Sequence, residues 1–321
     1  METCAASGAL ALKNAVRDVR SGVHDAVLAC GLEKMSAGGT AGATDALSAA
    51  FDRALDQRSG ITAPSQYALL ARRYLHETDA TEEDLARIAV KNHRNAVSNP
   101  RAQFQREINL ETVLESDYVA PPLKLFDCAP LSDGAAVVLV TNEERAAELV
   151  NRDRRVTVAG VGAAANNIGV ADRHLTVIEG AKTATTCAYE RAGVTAEEID
   201  IAEVQDAFTV CEALLSEAAG FAPRGTGYES ALEPDERSSG WTDVHVSTSG
   251  RLKARGHPHR RDGAYASRRS VRTANRNSGG PTDSGRANWS ATQRRRHCGR
   301  DDRLSRADRL NKKLRSIQTL P

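Results

Sequence analysis

Short apolar, β-branched runs alternate with stretches of helical spacing over about the first 250 residues, a pattern that predicts a layered α/β protein. Each apolar run is bounded by Gly, Asp or Asn, as buried strands commonly are. The predicted strands are residues 25–31, 135–140, 156–161 and 199–204. The predicted helices are residues 7–20, 63–78 and 179–192, with a further helix beginning after Thr81.

Residues suited to helix ends flank several of these stretches. Thr81 and Asp84 have the spacing of a capping box, and Thr195 begins a similar Thr-Ala-Glu-Glu segment. Gly193 is well placed to end the helix before it. Residues 142–154 predict a polar helix and a charged link, and we therefore place a domain boundary after residue 150.

Charge divides the chain more sharply than its formal net value of +1 suggests. Residues 1–258 hold 26 Lys and Arg against 37 Asp and Glu, whereas residues 259–321 hold 17 against 5. Those last 63 residues contain only six Val, Ile, Leu, Met or Phe. So few apolar side chains cannot offset the entropy lost on ordering, and we expect residues 259–321 to form a basic, disordered tail.

Membrane and metal signals are weak. No apolar run approaches the roughly 20 residues of a membrane-spanning helix, and the first residues do not resemble a signal peptide, so a cytoplasmic location is the default expectation. The six cysteines form no Cys-x-x-Cys pair, which disfavours a zinc site or a disulfide framework. A functional cysteine would therefore act as a thiol.

Five short segments carry the strongest functional signal. They are residues 4–8 (Cys-Ala-Ala-Ser-Gly), 31–36 (Gly-Leu-Glu-Lys-Met-Ser), 130–136 (Pro-Leu-Ser-Asp-Gly-Ala-Ala), 203–208 (Glu-Val-Gln-Asp-Ala-Phe) and 249–258 (Ser-Gly-Arg-Leu-Lys-Ala-Arg-Gly-His-Pro). In this order and at these spacings they resemble the thiolases (acetyl-CoA C-acyltransferases), in particular the archaeal and sterol-carrier-protein-like branch. The resemblance spans about residues 2–258.

The resemblance implies a thiolase-like, layered αβαβα fold of two similar α/β halves whose loops meet at one active site. Residues 1–150 would be the remainder of the N-terminal half and residues 151–258 part of the C-terminal half, incomplete at both ends. The implied activity is acyl transfer between acyl-CoA and CoA. It requires a thiolate nucleophile, a histidine that activates the thiol, and an oxyanion hole.

Cys4 is the nucleophile that the resemblance implies. It lies just before a predicted helix, whose N-terminus would lower the pKa of the thiol. The alternative is a small, buried apolar residue. The family spacing is Cys-x-x-Gly, whereas this chain has Cys-x-x-x-Gly, which puts Ala5 at the nominal nucleophile position.

The same resemblance assigns the other site residues. His257, in Gly-His-Pro, would activate the thiol, and Gln205 stands in the oxyanion region, where the family has His or Asn. Ser247, Ser249 and Gly250 would contact CoA, although Ser247 replaces the usual Asn and Arg251 interrupts the usual glycine pair. No metal or dissociable redox cofactor is implied, because acyl-CoA and CoA are substrates.

Two non-catalytic alternatives concern partners. Family members are dimers or tetramers and the archaeal branch often has a small OB-fold partner protein, so the chain could be a homo-oligomer or a non-catalytic subunit bound to an intact thiolase-like partner. A minor alternative is non-specific nucleic-acid binding by the Arg-rich tail. That tail has only Tyr265 and Trp289 as aromatic residues and no recognition motif.

The chain departs from the family at both ends. The family nucleophile follows strands and a helix that this sequence lacks, which suggests an N-terminal truncation. After Pro258 the chain reads His-Arg-Arg-Asp-Gly-Ala-Tyr. With the first base dropped, those codons admit Ile-Gly-Ala-Thr-Gly-Leu, the family continuation. We therefore hypothesise a single-base frameshift at the junction of Pro258 and His259, which resequencing the gene there would test.

Overall fold

The computed structural model describes residues 3–152 and 155–258, together with the backbone of two short strands at residues 288–291 and 316–319. The helices are α1 (Ser7–Arg20), α2 (Gly39–Ser48), α3 (Ala63–Glu77), α4 (Glu82–Ala96), α5 (Leu110–Leu114), α6 (Glu143–Leu149), α7 (Glu179–Ala192), α8 (Thr209–Ala218) and α9 (Arg251–Arg255). The strands are β1 (Ala26–Glu33), β2 (Tyr118–Ala120), β3 (Leu123–Lys124), β4 (Gly134–Thr141), β5 (Val161–Gly162), β6 (Ile201–Ala202), β7 (His245–Val246), β8 (Asn288–Ala291) and β9 (Ser316–Thr319).

Strands β1 and β4 form an antiparallel ribbon that runs from the pair Ala26–Thr141 to the pair Glu33–Gly134. Because side chains alternate along a strand, one face of the ribbon packs on α1, where Leu12 and Val16 are buried. The opposite face is apolar and open. Its large side chains are between 43% and 66% exposed: Leu28, Leu32, Val137 and Leu139.

Strands β6 and β7 position the candidate site. They pair in parallel, Ile201 with His245 and Ala202 with Val246, within a sheet of order β5-β8-β9-β6-β7. Their carboxyl ends therefore lie side by side. In open α/β sheets this edge is where ligands bind, and residues 203–208 and 247–250 follow the two strands there.

The main core joins both halves of the chain. Ile88 of α4, Leu214 of α8, and Val204 and Phe221 in the segments around α8 are at most 2% exposed and belong to one hydrophobic cluster. Helix α4 packs against α8 and α9. A helix from the N-terminal half thus supports the strand ends of the C-terminal half.

Most predicted helix ends are confirmed. Asp84 N donates to Thr81 Oγ1 (3.3 Å) and Thr81 N donates to Asp84 Oδ2 (2.9 Å), which forms the expected capping box. Gly193, at φ 65°, ends α7 in the left-handed conformation. Thr195 and Glu198 form a second capping box, although it opens a short 3-10 helix.

Two strand predictions were too long. Within the described residues, Val161 alone of the predicted strand 156–161 has a ladder partner, in β8, and the pairing continues to Gly162. The run from 199 to 204 forms a ladder only at Ile201 and Ala202, because its later residues turn into the candidate site. The polar helix predicted to begin the 142–154 segment is confirmed, because α6 starts after its N-cap Asn142 and ends at Leu149. A β-branched composition favours extended backbone but does not supply a pairing partner.

Within the described residues, no helix is both long enough and apolar enough to cross a membrane. The expected disordered tail, apart from the two short strands, lies outside the described residues, as does Tyr265. That expectation stays a prediction.

The one-sided burial of the ribbon predicts unequal costs for two leucine substitutions. Leu12→Ala, beneath the ribbon, should lower the free energy of unfolding by about 2–5 kcal/mol because it leaves a cavity. Leu139→Thr, on the open face, should cost less than about 1 kcal/mol because its side chain is already half exposed. Urea unfolding of the full chain measures both, and equal losses would contradict the one-sided packing.

Candidate active site

Glu203 follows β6 and binds the turn after β7. Its carboxylate is 1% exposed and accepts hydrogen bonds from Thr248 Oγ1 (3.1 Å), Ser249 N (3.0 Å) and Ser249 Oγ (2.6 Å). A buried carboxylate is costly unless it is well hydrogen-bonded, and these three donors meet that requirement. Glu203 therefore fixes the turn at residues 248–249 to the end of β6.

Asp206 holds the first turn of α9. It is fully buried, and it accepts hydrogen bonds from Leu252 N (2.7 Å), Lys253 N (3.3 Å) and Asn92 Nδ2 (2.9 Å). Burial, helped by the neighbouring Glu212 carboxylate, raises the pKa of Asp206 to about 6. The Arg251 guanidinium opposes that rise. Asp206 is thus the cap of a helix that ends two residues before His257.

Helix α4 and the loop after it donate a row of hydrogen bonds to the other side of the β7 turn. Lys91 Nζ donates to Val246 O (3.1 Å), Asn95 Nδ2 to Ser247 O (3.2 Å) and Asn99 Nδ2 to Ser249 O (2.9 Å). Lys91 and Asn95 lie four residues apart on one face of α4, and Asn99 follows the end of the helix. The carbonyl groups of Val246, Ser247 and Ser249 are therefore satisfied from the N-terminal half.

The α4 donors were missed by the sequence analysis, together with Glu212. Lys91 and Asn92 are almost fully buried, although their helix was recognised only by the capping-box residues at its start. The signal available in the sequence was the set Lys91, Asn92 and Asn95, polar residues three and four positions apart on the side of the helix that its apolar residues place in the interior. Long polar side chains on such a face indicate a buried hydrogen-bond network.

His257 is 3% exposed and lies against the segment that begins at Pro130. Its backbone N donates to Pro130 O (3.0 Å), and it forms a parallel bridge with Leu131. Gly256 has a φ of 97°, and a β-carbon there would lie 2.3 Å from Ser132 Oγ. The structure thus brings two of the predicted motifs, one from each half, into contact.

Gln205 and Ser247 present buried polar atoms at the ends of the two neighbouring strands. Gln205 is 3% exposed and Ser247 is fully buried with a φ of 59°. Among the described residues, Gln205 Oε1 and Ser247 Oγ have no hydrogen-bond partner. Buried polar atoms normally have partners, so these two mark places where a water or a ligand atom would be bound.

Ser249 and Gly250 lie in the packed interior. The Ser249 hydroxyl bonds Glu203 and accepts a hydrogen bond from Arg251 N (3.3 Å). Gly250 has a φ of 74°, and a β-carbon there would lie 2.3 Å from the β-carbon of Ala96 in α4. Both residues contact protein on the sides described, and contact of Ser247, Ser249 and Gly250 with CoA stays a prediction.

Cys4 occupies a strained position at a helix start. It begins the 3-10 turn Cys4–Ala6, which leads directly into α1, and its φ is 55°. The left-handed conformation costs a non-glycine residue about 1–2 kcal/mol. Ser7 Oγ donates to Cys4 O (2.8 Å), and Thr3 N donates to Ser7 Oγ (2.9 Å). Ala5 is buried while Cys4 is partly exposed, so the accessible side chain of this pair is the thiol.

The surroundings of Tyr67 connect Cys4 to the strand ends. The Tyr67 ring stacks on Phe208 with centroids 4.5 Å apart. Burial raises the pKa of Tyr67, and the neighbouring Cys211 and Cys4 side chains add to the rise. Cys4 therefore lies within electrostatic reach of a ring that covers the segment after β6.

Two other cysteines near this segment are poor nucleophiles. Burial raises the pKa of Cys128 to about 11 and that of Cys211 to about 12, so both remain thiols at neutral pH. Cys4 is the better candidate of the three. Within the part of the chain that the structure describes, no group of three or more His, Cys, Asp or Glu residues could hold a metal ion.

The fold and the site together define a class: an α/β protein of two halves, with chemistry at the carboxyl ends of neighbouring parallel strands. The family "Thiolase, N-terminal domain" matches residues 1–144, and "Thiolase C-terminal domain-like" matches residues 162–274. The chain belongs to the thiolase family and has its fold.

Relatives come from both expected branches. Acetyl-CoA acetyltransferase of Methanothermobacter thermautotrophicus is 40% identical over 259 residues, which cover 80% of this chain and 66% of that protein. Sterol carrier protein 2 of Homo sapiens is 29% identical over 270 residues, covering 79% and 48%. The solved structure of the Ltp2-ChsH2(DUF35) aldolase superposes with a TM-score of 0.69 at 26% identity, covering 83% of this chain and 70% of that one. The chain thus spans about two thirds of its archaeal relative and about half of sterol carrier protein 2.

The Glu203 network predicts unequal costs for two serine substitutions. Ser249→Ala should lower the free energy of unfolding by about 1–3 kcal/mol, because a buried carboxylate loses a charge-assisted hydrogen bond. The matched control is Ser238→Ala, whose hydroxyl donates to Glu229 Oε2 (2.8 Å) from an exposed position and should cost at most about 1 kcal/mol. Urea unfolding compares them, and an equal or smaller loss for Ser249→Ala would show that Glu203 does not depend on this donor.

Proposed function

We propose that the protein transfers an acyl group between acyl-CoA and CoA, as an acetyl-CoA C-acyltransferase in the cytoplasm. The observation that carries the proposal is Cys4, a strained and accessible thiol at the start of α1. Cys4 lies within electrostatic reach of Tyr67, which stacks on Phe208 beside the Gln205 turn. Strained backbone is concentrated at functional sites, and a helix start favours the thiolate.

In this proposal each half of the chain supplies part of the chemistry. His257 accepts the proton of the Cys4 thiol, and the thiolate attacks the carbonyl carbon of the acyl group. The bond between that carbonyl carbon and the α-carbon of an acyl-CoA breaks as the Cys4 thioester forms, and the acyl-CoA carbanion leaves after it takes the proton from His257. The thiol of CoA then attacks the thioester, which releases acyl-CoA and restores the Cys4 thiol. Ser247, Ser249 and Gly250 would border the bound CoA.

Gln205 would act in the oxyanion region. Its side-chain amide is buried just after β6. The Oε1 atom has no hydrogen-bond partner among the described residues, so it can accept a hydrogen bond from a water. A water held there would donate its own hydrogen bond to the developing negative charge. The loss of one well-placed oxyanion donor typically lowers kcat by about 10²–10³-fold, so this residue should matter as much as the nucleophile's activator.

A second candidate is a non-catalytic, thiolase-like subunit that binds a partner chain. The open apolar face of the β1–β4 ribbon favours it, because monomers rarely expose contiguous apolar surface. The structurally similar Ltp2-ChsH2(DUF35) aldolase is also named for two components. A small OB-fold protein or an intact thiolase-like chain would be the partner. Co-purification of a mixed oligomer without turnover would favour this candidate.

The catalytic proposal predicts that acetyl-CoA labels Cys4. After incubation with acetyl-CoA, mass spectrometry should find one acetyl group on the tryptic peptide of residues 1–13, whose only cysteine is Cys4. Cys4→Ala should abolish both the label and thiolysis, and His257→Ala should slow thiolysis by about 10²–10⁴-fold.

Cys30→Ala is the matched control. Cys30 is exposed on the open face of the ribbon, so this variant should label and turn over like the wild type. Full turnover by Cys4→Ala, or acetylation only at another cysteine, would overturn the assignment of the nucleophile.

A further inference from the structure

A buried network of charged and amide groups lies behind the Asp206 cap. Glu212, on α8, is fully buried and accepts hydrogen bonds from Lys91 Nζ, Ser230 Oγ (2.9 Å) and Asn92 Nδ2 (2.8 Å). Asn92 Nδ2 also donates to Asp206 Oδ2 (2.9 Å). One amide group therefore bridges two buried carboxylates, each of which is bonded to a different part of the candidate site.

The bridge requires that the Asn92 side chain turn its NH₂ group, and not its oxygen, toward the two carboxylates. The two hydrogens of Nδ2 satisfy one oxygen of Asp206 and one of Glu212, whereas a reversed amide would direct its oxygen at both carboxylates. The carboxylates repel each other, and Glu212 is one cause of the raised pKa of Asp206. Lys91 neutralises Glu212, and on the Asn92 side the Asn92 amide donates to Asp206 Oδ2.

Asp206 is also hydrogen-bonded to the backbone that precedes His257. Its two oxygens accept from Leu252 N and Lys253 N, in the first turn of α9, and α9 ends two residues before the histidine. We propose that Asn92 is a positioning residue for His257: its amide holds the Asp206 carboxylate, which in turn holds the helix that carries the histidine. This role rests on the proposed function of His257.

Protonation of Asp206 would break the arrangement. A proton on Oδ1 would face the Leu252 amide, and a proton on Oδ2 would face the Lys253 amide and Asn92, so a donor would meet a donor in either case. The groups that face Asp206 are Glu212 and Cys211 from α8, and Arg251 and Lys253 from α9. Lys91, from α4, acts through Glu212. Activity should therefore fall on the acid side as Asp206 protonates.

Asn92→Asp tests the role because it keeps the shape and removes the two-hydrogen donor. The Asp206 carboxylate would lose a hydrogen bond that favours its charged form and gain a third carboxylate nearby, so its midpoint should rise by about one pH unit or more. The acid limb of the kcat–pH profile should shift to higher pH by the same amount. At pH values below the midpoint, a shift of one pH unit lowers kcat about tenfold. KM should change little.

A titration followed by ¹³C NMR of the Asp206 side-chain carboxyl, assigned with Asp206→Asn, measures the midpoint in the full chain without turnover. The matched control is Asn109→Asp. Asn109 is the exposed N-cap residue of α5, and aspartate is an equally good N-cap, so this variant should change neither the Asp206 midpoint nor the acid limb of the kcat–pH profile. An unchanged Asp206 midpoint in folded Asn92→Asp would overturn the proposal.

Two outcomes would need a further measurement or interpretation. If Asn92→Asp does not fold, the wild type alone suffices: the amide signals of Leu252 and Lys253 should titrate with the Asp206 midpoint, and their failure to do so would overturn the proposal. If the wild type shows no thiolysis with any acyl-CoA, the proposed function fails, while the NMR midpoint still decides whether Asn92 controls the Asp206 cap.

Discussion

The need to satisfy buried carboxylates determines how this site is built. Glu203, Asp206 and Glu212 are at most 1% exposed, and an unpaired charge in such a place would cost several kcal/mol. Each carboxylate is instead hydrogen-bonded by donors from another element. The backbone donors among them belong to the turn after β7 and to the start of α9. Satisfying the charges therefore fixes the segment that leads to His257.

The same requirement joins the two halves of the chain. Helix α4 belongs to the segment matched by the N-terminal thiolase family, yet its polar face donates to Asp206, to Glu212 and to carbonyl groups after β7. The Pro130 segment, also from the N-terminal half, accepts the backbone hydrogen bond of His257. The histidine is thus held from both halves, and a change in how the halves pack would reach it directly.

Sequence reasoning succeeded where local chemistry dominates. The helix at residues 7–20, the capping box of Thr81 and Asp84, and the strands that became β1 and β4 depend on periodicity and caps that short windows reveal. The run from residue 156 failed because strand formation depends on a partner elsewhere in the chain. The thiolase family was recognised because its motifs recur in order.

The positions of the site residues were less accessible to the sequence. Motif order indicated His257 and Gln205 but gave no hint that Asn92 bridges two acidic residues more than one hundred positions away. It also could not decide between Cys4 and Ala5. In the structure Ala5 is buried, whereas Cys4 is partly exposed with a positive φ. Long-range hydrogen bonds and backbone strain are properties of the folded chain.

Native-state hydrogen exchange at the Leu252 and Lys253 amides tests the central claim most directly. If buried Asp206 holds the start of α9, both amides should exchange only through large-scale unfolding, at rates close to those of the core amides in α8. Exchange as fast as that of exposed loop amides, in a chain whose α8 is protected, would contradict the account, because the backbone before His257 would then not be held by the buried carboxylates.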